Sequence, residues 1–132
     1  MLYYGCSLYQ RMDALLSELE AQMKAVDAEL QLLDARVQEA QSELRLADGH
    51  FTATLLGMGG ATDGELNRFV REHIAASLAA NYRIRDLELE TLTFVEEKGE
   101  IIKKMAATKE LLFCEEQRRL HGDDVFDRTL EG

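Results

Sequence analysis

The chain has 132 residues, 46% of them apolar, with no proline or tryptophan, and its 25 acidic and 15 basic side chains leave a net charge of −10. Average usage would put proline near ~5%, so its absence makes the chain poorly suited to a loop-rich catalytic fold or a β-sandwich, and long, uninterrupted helices are the natural alternative. The acidic balance argues against nucleic acid as a partner, because phosphate binding needs a basic face.

Two cysteines, Cys6 and Cys114, are too few for a disulfide scaffold, and reduced cytosolic thiols are expected. The apolar start, Met1–Tyr9, lacks the basic beginning and sustained apolar run of a signal peptide. No stretch approaches the ~20 apolar residues that span a bilayer. These features predict a single cytoplasmic domain with no direct membrane insertion.

The first helix is predicted over about residues 7–56. Ser7 followed by Gln10 forms a capping-box signature at its start. Apolar or small residues then recur at Leu8, Met12, Leu15, Leu19, Met23, Val26, Leu30, Leu33, Val37, Ala40, Leu44, Ala47 and Phe51. From Met23 onward the steps alternate between three and four, which is a coiled-coil seam. The repeated step of four through Leu15, Leu19 and Met23 reads as a stutter. Gly49 predicts a kink or a frayed turn, although Phe51 carries the pattern past it.

Residues 57–63 hold the glycine cluster of the sequence and are predicted to turn the chain. Gly57 or Gly59 is expected in the left-handed conformation that closes a helix, and Thr62 with Glu65 offers a second capping box. A second helix is predicted over about 64–121, closed by His121 and Gly122, with a C-terminal tail at 122–132. Its seam reads Ile84, Leu87, Thr91, Phe94, Lys98, Ile101, Met105, Thr108 and Leu112. The fold class predicted is all-α: a long antiparallel two-helix coiled-coil hairpin with a Gly-rich tip.

With the turn centred near residue 60, the numbers of facing residues total 119 or 120, which sets Leu15 against Met105, Leu19 against Ile101 and Leu33 against Leu87. Leu44 falls against Ala75 or Ala76, and Cys6 against Cys114. Ala75, Ala76, Ala79 and Ala80 would let the helices approach closely near the turn. In the tail, Val125, Phe126 and Leu130 are expected to fold onto Tyr3, Tyr4, Leu8 and Tyr9 or to serve a partner.

A second apolar stripe, Leu89, Leu92, Val95, Ile102 and Phe113, lies beside the seam of the second helix. That is more apolar surface than one partner helix needs, so these five residues are the candidate partner-binding face. Charge is uneven: residues 7–56 carry −5, residues 62–121 carry −2 and the last eleven −3. A partner with a basic surface is therefore easier to steer toward this chain.

No catalytic, metal or cofactor site is predicted. His50, His73 and His121 are scattered rather than clustered with other ligands. The loop Gly57–Gly64 lacks the Gly-Lys-Ser/Thr ending of a phosphate cradle. Pairs such as Glu96 and Glu100 sit on a solvated face with nothing to raise a pKa, and neither cysteine has a nearby histidine.

The run Ile84-Arg-Asp-Leu-Glu-Leu-Glu-Thr-Leu-Thr-Phe-Val-Glu-Glu-Lys-Gly-Glu-Ile-Ile-Lys-Lys104 resembles the second-helix segment of the central stalk proteins of type III secretion. This is the SctO group, with SpaM/InvI and YscO members and the flagellar relative FliJ. The resemblance covers about twenty residues closely and the remainder as a coiled-coil hairpin. It implies a non-catalytic cytosolic stalk, peripheral to a membrane-embedded secretion complex. Such a stalk contacts a hexameric export ATPase and the export gate or secretion chaperones. The alternative reading is a coiled-coil adaptor or scaffold subunit that forms a homo-oligomer or assembles into a larger complex. A prefoldin-like holdase ranks last, because the loop has no alternating β-branched run from which to build strands.

Overall fold

A computed structural model describes the backbone of residues 7–131 and the side chains of residues 7–121. Two long helices, α1 (Leu8–Leu56) and α2 (Asp63–Glu131), pack against each other as a helical hairpin. The all-α expectation holds, with no strand among the described residues. The chain divides into two compact units: one is Glu29–Val95, which contains the tip, and the other takes its described residues from those up to Ala28 and from Glu96 onward.

Both helices begin as their capping residues require. Ser7 N–H donates to Gln10 Oε1 at 3.0 Å and Gln10 N–H donates to Ser7 Oγ at 3.1 Å, the reciprocal pair of a capping box. At α2 the Glu65 N–H donates to Thr62 Oγ1 at 3.2 Å. Each cap satisfies donors that a helix start leaves without partners.

The tip closes differently from the sequence expectation. No described glycine has a positive φ, so neither Gly57 nor Gly59 adopts the left-handed conformation. Instead α1 tightens at its end: Gly57 N–H donates to the Thr54 carbonyl at 3.0 Å and Met58 N–H to that of Leu55 at 3.1 Å. A further turn follows, with Ala61 N–H on the Met58 carbonyl at 3.0 Å. These i→i+3 bonds take up terminal carbonyls without a left-handed residue.

Burial corrects the first helix at its N-terminal end. Leu8 and Leu15 are exposed, whereas Tyr9, Met12 and Leu16 are partly buried. The seam therefore runs Tyr9, Met12, Leu16, Leu19, Met23 with steps of three and four, and the stutter expected at Leu15 is absent. Leu19, Val26, Leu33 and Ala40, seven residues apart, are its buried positions. On α2 every predicted seam residue from Ile84 to Leu112 is buried or half-buried, and the pattern extends back through Ala80, Ser77, His73 and Val70 to Leu66.

Single glycines do not end the helices. α1 passes through Gly49 to Leu56, and α2 passes through His121 and Gly122 to Glu131 where a tail was expected. A lone glycine costs a helix only ~1 kcal/mol relative to alanine, and no proline follows to stop it. Cys6, Tyr3 and Tyr4 lie outside the described residues, as do the side chains of Val125, Phe126 and Leu130. The expected pairing of Cys6 with Cys114 and the docking of the tail fall there too.

In the unit that begins at Glu96, Lys98 Nζ meets Asp27 Oδ1 at 2.7 Å, where the expected register puts residue 92 or 93. The Arg119 guanidinium sits 5.4 Å from the Tyr9 ring centre, again several residues late. Helical side chains lean toward their own N-terminus, so a long cation reaches about one turn behind its Cα; this covers much of the Lys98 offset but not that of Arg119, which lies eight or nine residues beyond the expected position, so near Tyr9 the two helices face each other later than the expected register. Lys98 is a polar residue on the seam, and such residues fix register at some cost in stability. Thr91 and Thr108, also on the seam, donate to the carbonyls of Leu87 and Lys104 at 2.9 and 2.7 Å and so need no partner across it.

Candidate functional site

Leu89, Leu92 and Val95, in the Glu29–Val95 unit, are half-exposed, with Leu92 at 57%. Ile102 and Phe113, in the other unit, are exposed as well. The structure adds three residues that sequence reading missed: Ile74, Leu78 and Tyr82 are also half or more exposed and lie within Glu29–Val95. Counted in heptads from the seam, Leu78 and Leu92 fall on one line along the back of α2. Ile74 and Val95 flank it on one side, Tyr82 and Leu89 on the other. The signal was available, because none of the six occupies a seam position, yet the alanines between them drew the reading toward close helix approach.

Two of these alanines, Ala76 and Ala80, together with Ala40, Ala47, Leu44, His73, Ser77, Glu43 and Arg83, line an open-sided cavity of about 200 Å³. The short side chains of Ala40 and Ala80 at seam positions leave room for it.

Beside the cavity, three aromatic rings stack: Phe51 lies 5.1 Å from Phe69 and 3.8 Å from His73 between ring centres, with the His73 plane only 8° from that of Phe51. His73 Nε2 is 3.1 Å from Asp48 Oδ1 and 3.3 Å from Ser77 Oγ. Serine, histidine and aspartate in contact invite comparison with a hydrolytic triad, but the geometry excludes a relay. A triad places the carboxylate on one ring nitrogen and the hydroxyl on the other, whereas here both partners share Nε2. A proton donated to Asp48 leaves that nitrogen no lone pair with which to activate Ser77. The cluster clasps α1 to α2 within this unit.

Apart from Lys98–Asp27, the other ion pairs among the described residues are local surface pairs. Arg118 Nε and Nη2 donate to the two Glu115 oxygens at 3.1 and 2.7 Å, and this hydrogen bonding holds the Glu115 carboxyl below the usual carboxylate range. Arg68–Glu72 and Lys103–Glu100 are exposed pairs within one helix, a type worth little individually. Among the described residues, no group of three or more His, Cys, Asp or Glu side chains could hold a metal ion. Cys114 is a free, exposed thiol. No described helix is long and apolar enough to cross a membrane.

No protein-family model, curated protein or solved structure matches this chain.

Proposed function

We propose that this chain is a non-catalytic helical-hairpin adaptor that presents the back of α2 to a protein partner. The observation that carries the reading is the run of six exposed large apolar side chains between Ile74 and Val95. Isolated exposed leucines are ordinary, but six large apolar side chains gathered along one side of a helix mark an interaction surface. Leu92→Asp in the full chain would place a charge among the apolar residues at the C-terminal end of the stripe, while Leu46→Asp, at a 75%-exposed site on α1, serves as a control. Quantitative affinity capture from the native host should show proteins that are lost with Leu92→Asp and retained with Leu46→Asp. Identical capture by both variants would sink the reading.

Within that class, the stalk of a type III secretion apparatus is the narrower proposal. Its support is the resemblance over Ile84–Lys104 together with the hairpin architecture. A stalk would work in the cytoplasm at the periphery of the secretion complex, touching the hexameric export ATPase and the export gate or secretion chaperones. Titrating purified protein into the cognate ATPase should change its hydrolysis rate. An unchanged rate with no binding removes the stalk and leaves the adaptor.

A further inference from the structure

We propose that the partner of this face is a second copy of the chain, paired antiparallel through the backs of the two α2 helices about a two-fold axis at Arg85. This rests on the adaptor reading and names its partner.

The argument begins with the spacing. Counted from Arg85, Leu78 lies seven residues before and Leu92 seven after, Tyr82 three before and Leu89 four after, Ile74 eleven before and Val95 ten after. Two-fold antiparallel pairing places each residue opposite one at the same lateral position and the opposite distance from the axis. On this heptad, Leu78 then meets Leu92 of the second copy, Tyr82 meets Leu89, and Ile74 meets Val95. All three members on each side are half-exposed in the single chain, and each finds an apolar counterpart. Isologous interfaces require such self-complementarity, and a face evolved for an unrelated partner has no need of it.

The polar residues between them obey the same symmetry. Asn81, four before the centre, falls opposite Glu88, three after it; one N–H of the Asn81 amide goes to the Ser77 carbonyl at 2.9 Å, and the other is left to face that carboxylate. Arg85 lies on the axis, where Glu88 of the second copy is within reach of its guanidinium. The one like-charge approach is Arg85 with itself.

The area is adequate. Six half-exposed large side chains offer on the order of 100 Å² each, roughly 600 Å² per copy, against about 800 Å² per partner in a standard interface. Asn81, Arg85 and Glu88 extend the patch toward that size.

Sedimentation equilibrium of the full chain should give twice the 14.9 kDa monomer mass at ~100 μM. Leu78→Asp and Leu92→Lys should each weaken association at least about tenfold with unchanged helicity, since both sites are exposed. Mixing the two variants should restore the dimer, because the new carboxylate of one copy then faces the new ammonium of the other. Tyr82→Glu with Leu89→Lys repeats the test at a second pair, and Arg85→Leu should tighten the dimer by relieving the repulsion on the axis. A monomeric wild type, or variants whose mixture stays monomeric, overturns the proposal. A wild type that is monomeric yet loses a captured protein on Leu92→Asp overturns self-pairing while sustaining the adaptor reading.

Discussion

Leu33 is 1% exposed and lies at the middle of the run of buried residues spaced by seven on α1. A two-helix layer has few such positions: six apolar side chains are buried among the described residues, while fifteen large ones stay exposed. Each buried one therefore carries an unusual share of the stability. Leu33→Ala removes its contacts and leaves a cavity, a change that costs about 2–5 kcal/mol in well-packed cores. Leu46→Ala, on the outside, should change stability by less than about 0.5 kcal/mol. Urea denaturation compares the two directly, and equal midpoints would contradict the seam described here. Leu33 was legible despite Leu32 beside it, because Leu30 and Val37 stand three before and four after it and Val26 and Ala40 seven residues to either side, all in one phase. Leu15 was not, because Leu16 stands beside it and either leucine continues an apolar pattern. Only the strict alternation of steps back from Leu19 favours Leu16, and burial bears it out.

At the scale of the element, the start of each helix was written in its capping residues and the end of α1 near residue 56 in the glycine cluster, whereas the way α1 closes and the end of α2 were not. Ser7 and Gln10 exchange hydrogen bonds as their spacing requires. Ser7→Ala removes one partner of that box and should lower stability by about 1 kcal/mol, read as a loss of thermal midpoint that Ser7→Asp largely avoids. Helix ends are harder to see in sequence because glycine permits several closures without compelling any. The tip closes on i→i+3 bonds, and Gly122 closes nothing. The seam of α2 was readable along its length from Ile84, since threonine and lysine still hold the heptad phase there. Its first turns were missed because His73 and Ser77 are polar, and what buries them is a stack on Phe51 and a contact with Asp48. Those interactions depend on residues of the other helix, which periodicity along one helix cannot reveal.

At the scale of the whole molecule, charge decides more than any single pair. With 25 acidic groups against 15 basic ones, ten negative charges are left without a counterpart even if every cation is paired. Exposed pairs contribute little each, so net repulsion should dominate the response to salt. Raising ionic strength from about 0.01 to 0.15 M shortens the screening length from ~30 to ~8 Å. The thermal midpoint should therefore rise, and a fall on adding salt would mean that attractive pairs prevail. Gly59 and Gly60 bear on the molecule in another way. Neither has a positive φ, and a Cβ built on either meets nothing within 4 Å. The peptide between them is the middle of the Met58–Ala61 turn, so opening it gives up one hydrogen bond of the tip but no side-chain packing, which makes it a splice point. A foreign sequence opened into the chain there, such as an epitope or a fluorophore-bearing loop, would be displayed at the hairpin tip while both caps and both seams stay intact.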